Sequence, residues 1–221
     1  KVSKQVVFLT KPNDLLTHWE GARLSKKNAH SISGISDVYW LSDLQKIIEK
    51  FLNKSTSLYI NQNEHYRAKV ETETREDRFT NWLKKKYNFK NYERSNPILQ
   101  KLRSVKHPIE LELIQEACNI TEKGFRRILN FVKPGVWEYE IEAEFSYEFL
   151  KNRSRKFAYS PIIASGVNSN ILHYIENNNQ CQYGDVLLLD VGAEYANYSS
   201  DMTRTIPVSG KFTKRQKLVY N

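Results

Sequence analysis

Cysteine is nearly absent: the two in the chain, Cys118 and Cys181, lie far apart without a C-x-x-C spacing. That excludes a disulfide framework and a thiolate zinc site, and it fits a reducing, cytoplasmic setting. Long apolar runs are missing too, since no window approaches the roughly 18 consecutive apolar residues of a membrane span. No charged-apolar-small leader opens the chain. The first residue is Lys1 rather than Met, directly before a strand-like run, so the natural N-terminus is expected to have been removed or not included. No internal repeat, low-complexity tract or nucleic-acid-binding module is visible.

What is present is enough for a real core: 221 residues with 40% hydrophobic content make one large or two modest globular domains. Lys and Arg number 34 against 25 Asp and Glu, a formal charge of +9. The basic residues are spread along the chain, with short clusters only at Lys84-Lys85-Lys86 and 211–217. We read them as a solvated surface rather than a nucleic-acid footprint.

Residues 5–60 alternate short apolar runs with helical spacing: Val6–Leu9, then a helix over Leu44–Leu52, then Leu58-Tyr59-Ile60. This predicts a small α/β domain. The charged stretch 64–78 reads as a loop or solvated helix, followed by a helix face carrying Phe79, Trp82 and Leu83. Polar residues 88–97 end in Pro97, and the boundary falls between Glu93 and Ser104, giving domains over 1–97 and 104–221. Pro108 suits a first helical turn, and Leu113, Ile114, Ala117, Phe125, Ile128 and Leu129 follow at helical spacing up to Lys133-Pro134-Gly135. Ile141, Phe145 and Phe149 predict a second helix ending near Asn152. The period then changes, with strands expected at 162–164, 171–175, 186–191 and 202–208.

Asp190 stands out because it interrupts the apolar run Val186-Leu187-Leu188-Leu189, which should be mostly buried in a sheet. An ionised carboxylate is tolerated there only if it is paired, well hydrogen-bonded, protonated or bound to a cation. Asp201 follows after a turn-compatible Ala196-Asn197 flanked by tyrosines. A hairpin folded about Tyr195-Ala196 would set Asp190 opposite Asp201 on one face, roughly 5 Å apart at Cα. Facing like charges favour a divalent cation or cation pair, of a hard kind such as manganese or magnesium. The other reading makes Asp190 a satisfied strand-end residue and Asp201 a turn cap.

The segment 184–195, with Tyr198-Ser199-Ser200-Asp201-Met202-Thr203-Arg204-Thr205 and Pro207-Val208-Ser209-Gly210, resembles the catalytic domain of the aminopeptidase P family. Ser165-Gly166, Asn168 and His173-Tyr174 resemble the stretch before that family's first metal ligand, and 101–106 with Glu110-Leu111 its interdomain connection. The likeness is close over 103–221. Over 1 to 95 it is an outline, with Thr17-His18-Trp19-Glu20-Gly21, Arg23 and Leu24 similar to the later part of the family's N-terminal domain. The resemblance implies an α/β fold: a partial N-terminal accessory domain followed by the first half of a "pita-bread" catalytic domain.

It also implies a metal-dependent peptidase that removes the N-terminal residue from peptides with proline second. Asp190 and Asp201 would bind two divalent ions, Mn2+, and His173 would contact substrate near the scissile bond; without the resemblance His173 reads as an edge-strand residue. Arg204 reads as structural, in reach of a carboxylate. The family's other ligands, one His and two Glu, are expected beyond Asn221, with Lys211-Phe212-Thr213-Lys214-Arg215-Gln216 beginning the helix that joins the two halves. These residues alone are therefore expected to lack a complete site, to bind manganese poorly and to have negligible activity. A homo-oligomer is implied, with no membrane and no nucleic acid as partner. The alternatives are an Xaa-Pro dipeptidase and a catalytically inactive pita-bread binding module.

Overall fold

The computed structural model describes residues 4–13, 23–62, 72–88 and 91–220, so 17–21 and 64–71 lie outside the described residues. The chain divides between Ser104 and Val105 into two compact units.

In the first unit the apolar run Val6–Leu9 forms β1, which pairs in parallel with β2, Asp37–Trp40. Parallel pairing requires a crossover, and α1, Lys26–Ser33, lies within it. The Ser25 hydroxyl accepts from the Asn28 N–H at 3.1 Å to start α1. Helix α2, Leu44–Leu52, has the bounds its apolar spacing predicts and buries Ile47 and Leu52. Strand β3, Ser57–Ile60, pairs in parallel with β4, Asn91–Arg94. Between them α3, Arg75–Lys86, opens on a capping box of Thr74 and Asp77. Leu83 is buried on α3 and Trp82 half-buried, but Phe79 is exposed, so the predicted face is narrower than its three residues imply. The polar stretch 88–97 holds β4 and the start of α4, Asn96–Ser104. Only Tyr92 of β4 is even half-buried, so the strand carries no alternation to read.

The second unit is built on α5, Pro108–Phe131, and α6, Glu138–Lys151. Both follow from the sequence: Pro108 opens α5, and Ile141, Phe145 and Phe149 are the buried stripe of α6. The helices approach closely where α5 has Gly124, because a Cβ there would lie 2.8 Å from Phe149 and 2.9 Å from Phe145 ring carbons. The pair packs on a three-stranded antiparallel sheet ordered β5 (Ile162–Ser165), β6 (Val186–Val191), β9 (Met202–Pro207). Burial alternates along β6: Leu187, Leu189 and Val191 join the helix core, whereas Val186, Leu188 and Asp190 point the other way and are half-buried. Burying each core Leu or Phe stabilises the unit by about 1.5–3 kcal/mol. The opposite face holds only a small cluster of Ile162, Ala164 and Tyr174, with Leu188 against it.

The strand expected at 171–175 is instead a turn following a short 3-10 segment over Gly166–Asn170. His173 has φ +56 and Asn177 φ +46, left-handed values incompatible with an extended strand. Apolar residues there mimic a strand in sequence, yet Ile171, Leu172 and Ile175 are all exposed. The last helix, α7 (Lys214–Tyr220), begins at Thr213, whose hydroxyl accepts from the Gln216 N–H at 3.2 Å.

Candidate metal centre

The centre is set by one long hairpin. Ala196 and Asn197 have φ +49 and +67, the two positive values of a type I′ turn, and join the short strands β7, Glu194–Tyr195, and β8, Tyr198–Ser199. Tyr195 pairs with Tyr198 and Glu194 with Ser199; the β6–β9 ladder continues that register. The turn is thus one residue further along than Tyr195-Ala196, and the pairing slides by two. Asp190 faces Thr203 rather than Asp201. Because the side-chain period is two, Asp201 stays on the Asp190 face as a diagonal neighbour. Diagonal neighbours sit roughly 7–8 Å apart, further than the opposed pair the spacing suggested.

Tyr159 closes that gap. Its hydroxyl is 2.6 Å from Asp190 Oδ1 and 3.1 Å from Asp201 Oδ1, so both carboxylates converge on one phenol. The segment carrying it is strapped to the hairpin: Phe157 bridges Ala193, and the Ala158 N–H donates to the Gly192 carbonyl at 2.8 Å. Burial first, then the hydrogen bonds and negative charge of Asp190 and Asp201, push the Tyr159 phenol far above its ordinary range, which keeps it a donor. Asp190 is half-buried and Asp201 exposed, and among the described residues neither has a Lys or Arg partner.

A second device fixes the kink beside Asp201. Thr121 of α5 and Ser200 share a buried hydrogen bond of 2.7 Å, and the Ala193 N–H donates to both hydroxyls at 2.9 and 3.0 Å. Gly192 lies in this corner, fully covered, with the Ser200 carbonyl oxygen only 1.9 Å from where its Cβ would be. At the hairpin tip the Tyr198 hydroxyl donates to Glu110 at 2.8 Å, and Glu110 also accepts from the His107 N–H at 2.7 Å. These bonds, the one from His107 foremost, hold the Glu110 carboxyl below its ordinary range.

The predicted residues are therefore brought together in part. Asp190 and Asp201 meet; His173 is exposed on its turn, and no described contact joins it to either carboxylate. Arg204 donates to the Thr203 carbonyl at 2.7 Å and pairs with no carboxylate among the described residues. Tyr159 was missed, and no spacing rule would have found it, because it sits in an irregular segment. Among the described residues no group of three or more His, Cys, Asp or Glu could hold a metal ion. Two carboxylates without a cationic partner on one face do fit the donor chemistry of a hard divalent ion. Phenylalanine at 159 removes the shared donor from two like charges, so Tyr159→Phe is expected to lower stability by about 2 kcal/mol in urea unfolding without added metal. An unchanged midpoint would show that the phenol does not hold the pair.

Residues 112–221 match metallopeptidase family M24, and residues 1–59 match the aminopeptidase P N-terminal domain. The chain is 34% identical over 220 residues to the Xaa-Pro aminopeptidase of Haemophilus influenzae, covering 100% of this chain and 49% of that protein. It is 30% identical over 217 residues to the Xaa-Pro aminopeptidase of Escherichia coli, covering 97% and 49%. Among solved structures, the low-pH form of E. coli aminopeptidase P superposes with a TM-score of 0.84 at 30% identity, covering 96% of this chain and 49% of that one. The proline aminopeptidase P II of Yersinia pestis gives 0.83 at 28%, covering 96% and 49%. The chain spans about half the length of the curated relatives it matches.

Proposed function

The chain belongs to metallopeptidase family M24, and from that premise we propose that the protein it forms part of is an Xaa-Pro aminopeptidase. Its substrate is a peptide with proline second, from which it releases the N-terminal residue. The observation that carries this is the meeting of Asp190 and Asp201 on the Tyr159 hydroxyl, with no cationic side chain beside them among the described residues. Asp190 and Asp201 would hold two divalent ions, Mn2+, which when bound would supply activation of a water and stabilisation of developing negative charge. Tyr159 orients the carboxylates by donating to both. His173 hydrogen-bonds the substrate near the scissile bond.

Two carboxylates are too few for a cation pair and no larger group of ligands gathers among the described residues, so on this reading the 221 residues by themselves bind manganese poorly and have negligible activity. The described helices include none long and apolar enough to cross a membrane, and both cysteines are free. A cytoplasmic homo-oligomer is part of the same reading. The test is an assay of the full-length protein on three substrates: an Xaa-Pro-Xaa tripeptide, an Xaa-Pro dipeptide and a tripeptide with alanine second. Release of the first residue from the proline tripeptide alone is expected. Cleavage restricted to the dipeptide would make the protein an Xaa-Pro dipeptidase, and equal cleavage of the alanine peptide would remove the proline assignment.

A further inference from the structure

The turn carrying His173 has little core of its own. Ile171, Leu172 and Ile175 are exposed, and the backbone at His173 is left-handed. Non-glycine residues persist in that region only where their surroundings impose it. The restraint comes from α6. Glu138, in the first turn of that helix, is fully buried and accepts four hydrogen bonds. Its Oε1 takes the Ser165 N–H at 2.6 Å and the Ser165 hydroxyl at 2.7 Å; its Oε2 takes the Tyr174 hydroxyl at 2.7 Å and the Asn179 N–H at 2.9 Å. One carboxylate thus ties the end of β5, which precedes the turn, to Tyr174 and Asn179, which follow it.

One helical turn further on, Glu142 accepts from the Asn177 amide at 2.9 Å. The same Asn177 side chain accepts from the Ile163 N–H at 3.0 Å and donates to the Pro161 carbonyl at 3.0 Å. Tyr174 is the inward anchor beside the exposed His173, packing on Ile162, Ala164 and Leu188 of the Asp190 face. Its phenol is pushed up to about 12, by burial first and then by the bond to Glu138, so it remains a donor.

We propose that Glu138 is a positioning residue for His173: through Tyr174 and Asn179 it holds the turn so that the imidazole is presented on the Asp190 face. This rests on the reading that His173 contacts substrate. Glutamine at 138 must turn an NH2 toward either the Ser165 or the Tyr174–Asn179 donors, releasing one side of the turn. Tyr174→Phe removes only the phenol's bond to Glu138, leaves that of the Asn179 N–H, and keeps the packed ring.

The experiment is a double-mutant cycle on the full-length, metal-loaded protein: Glu138→Gln and Tyr174→Phe, each alone and with His173→Ala, reading kcat/KM on the proline tripeptide together with metal content. In the His173 background Glu138→Gln is expected to lower kcat/KM by about 10²-fold, the cost of misplacing a reacting group. Tyr174→Phe is expected to act in the same direction and less. On top of His173→Ala each should change it by less than about twofold, with metal content unaltered throughout. Equal losses in both backgrounds, a loss of metal, or no loss beside an intact His173 would each overturn the proposal. His173→Ala at full activity would overturn the role of His173 itself, a failure distinct from those three. Should Glu138→Gln not fold, Tyr174→Phe decides by the same criteria.

Discussion

Asp190→Asn and Asp201→Asn, made separately in the full-length protein, are each expected to lower kcat/KM by on the order of 10³-fold or more while leaving the unfolding midpoint of the metal-free protein unchanged or raised. The two effects have one cause. Both carboxylates lie on the same face, joined by a single phenol and without a basic partner among the described residues. Removing either charge relieves repulsion between like groups. On the proposed reading it also removes one of the two carboxylates that meet on this face, and so part of the hold on a divalent ion whose charge stabilisation is worth several kcal/mol at about 1.36 kcal/mol per tenfold in rate. Parallel denaturant unfolding and steady-state kinetics check both halves. A variant that loses stability as much as activity would make these aspartates structural.

Gly192→Ala is the largest expected disturbance of the fold. Its Cβ would stand 1.9 Å from the Ser200 carbonyl oxygen, a backbone atom that cannot rotate away, and 3.2 Å from the Tyr159 ring. The corner is further locked by Thr121, Ser200 and the Ala193 N–H. Relief requires the hairpin to open beside Asp201, so a cost above about 3 kcal/mol is expected, beyond ordinary overpacking. The same shift draws Asp201 off the Tyr159 hydroxyl, so the surviving folded fraction should lose activity as well. Urea unfolding of the variant reads the first effect, and kcat/KM per folded molecule the second. A shift of less than about 1 kcal/mol would mean the corner is not close-packed.

The parts that sequence made legible are those governed by local periodicity. Helices α2, α5 and α6 follow from spaced apolar residues and from Pro108, and β1, β5 and β6 from apolar runs. What escaped depends on contacts between distant segments. Strand β4 is polar because only Tyr92 of it is even half-buried, and 171–175 looks extended although Glu138 and Glu142 hold the segment as a turn. The hairpin shows how narrow the margin is. A one-residue error in the turn exchanged the cross-strand partner of Asp190, yet it preserved the face, because pairing slides by two whenever the turn moves by one. Tyr159 could not be anticipated: its role follows from the bond of Ala158 to Gly192, which no spacing rule encodes.

Sharing of divalent cations by residues 190 and 201 is tested most directly by an anomalous-scattering map of crystals of the full-length protein grown with manganese. The account predicts anomalous peaks in contact with both carboxylates beside the Tyr159 hydroxyl. Full manganese occupancy at a site touching neither aspartate would contradict it.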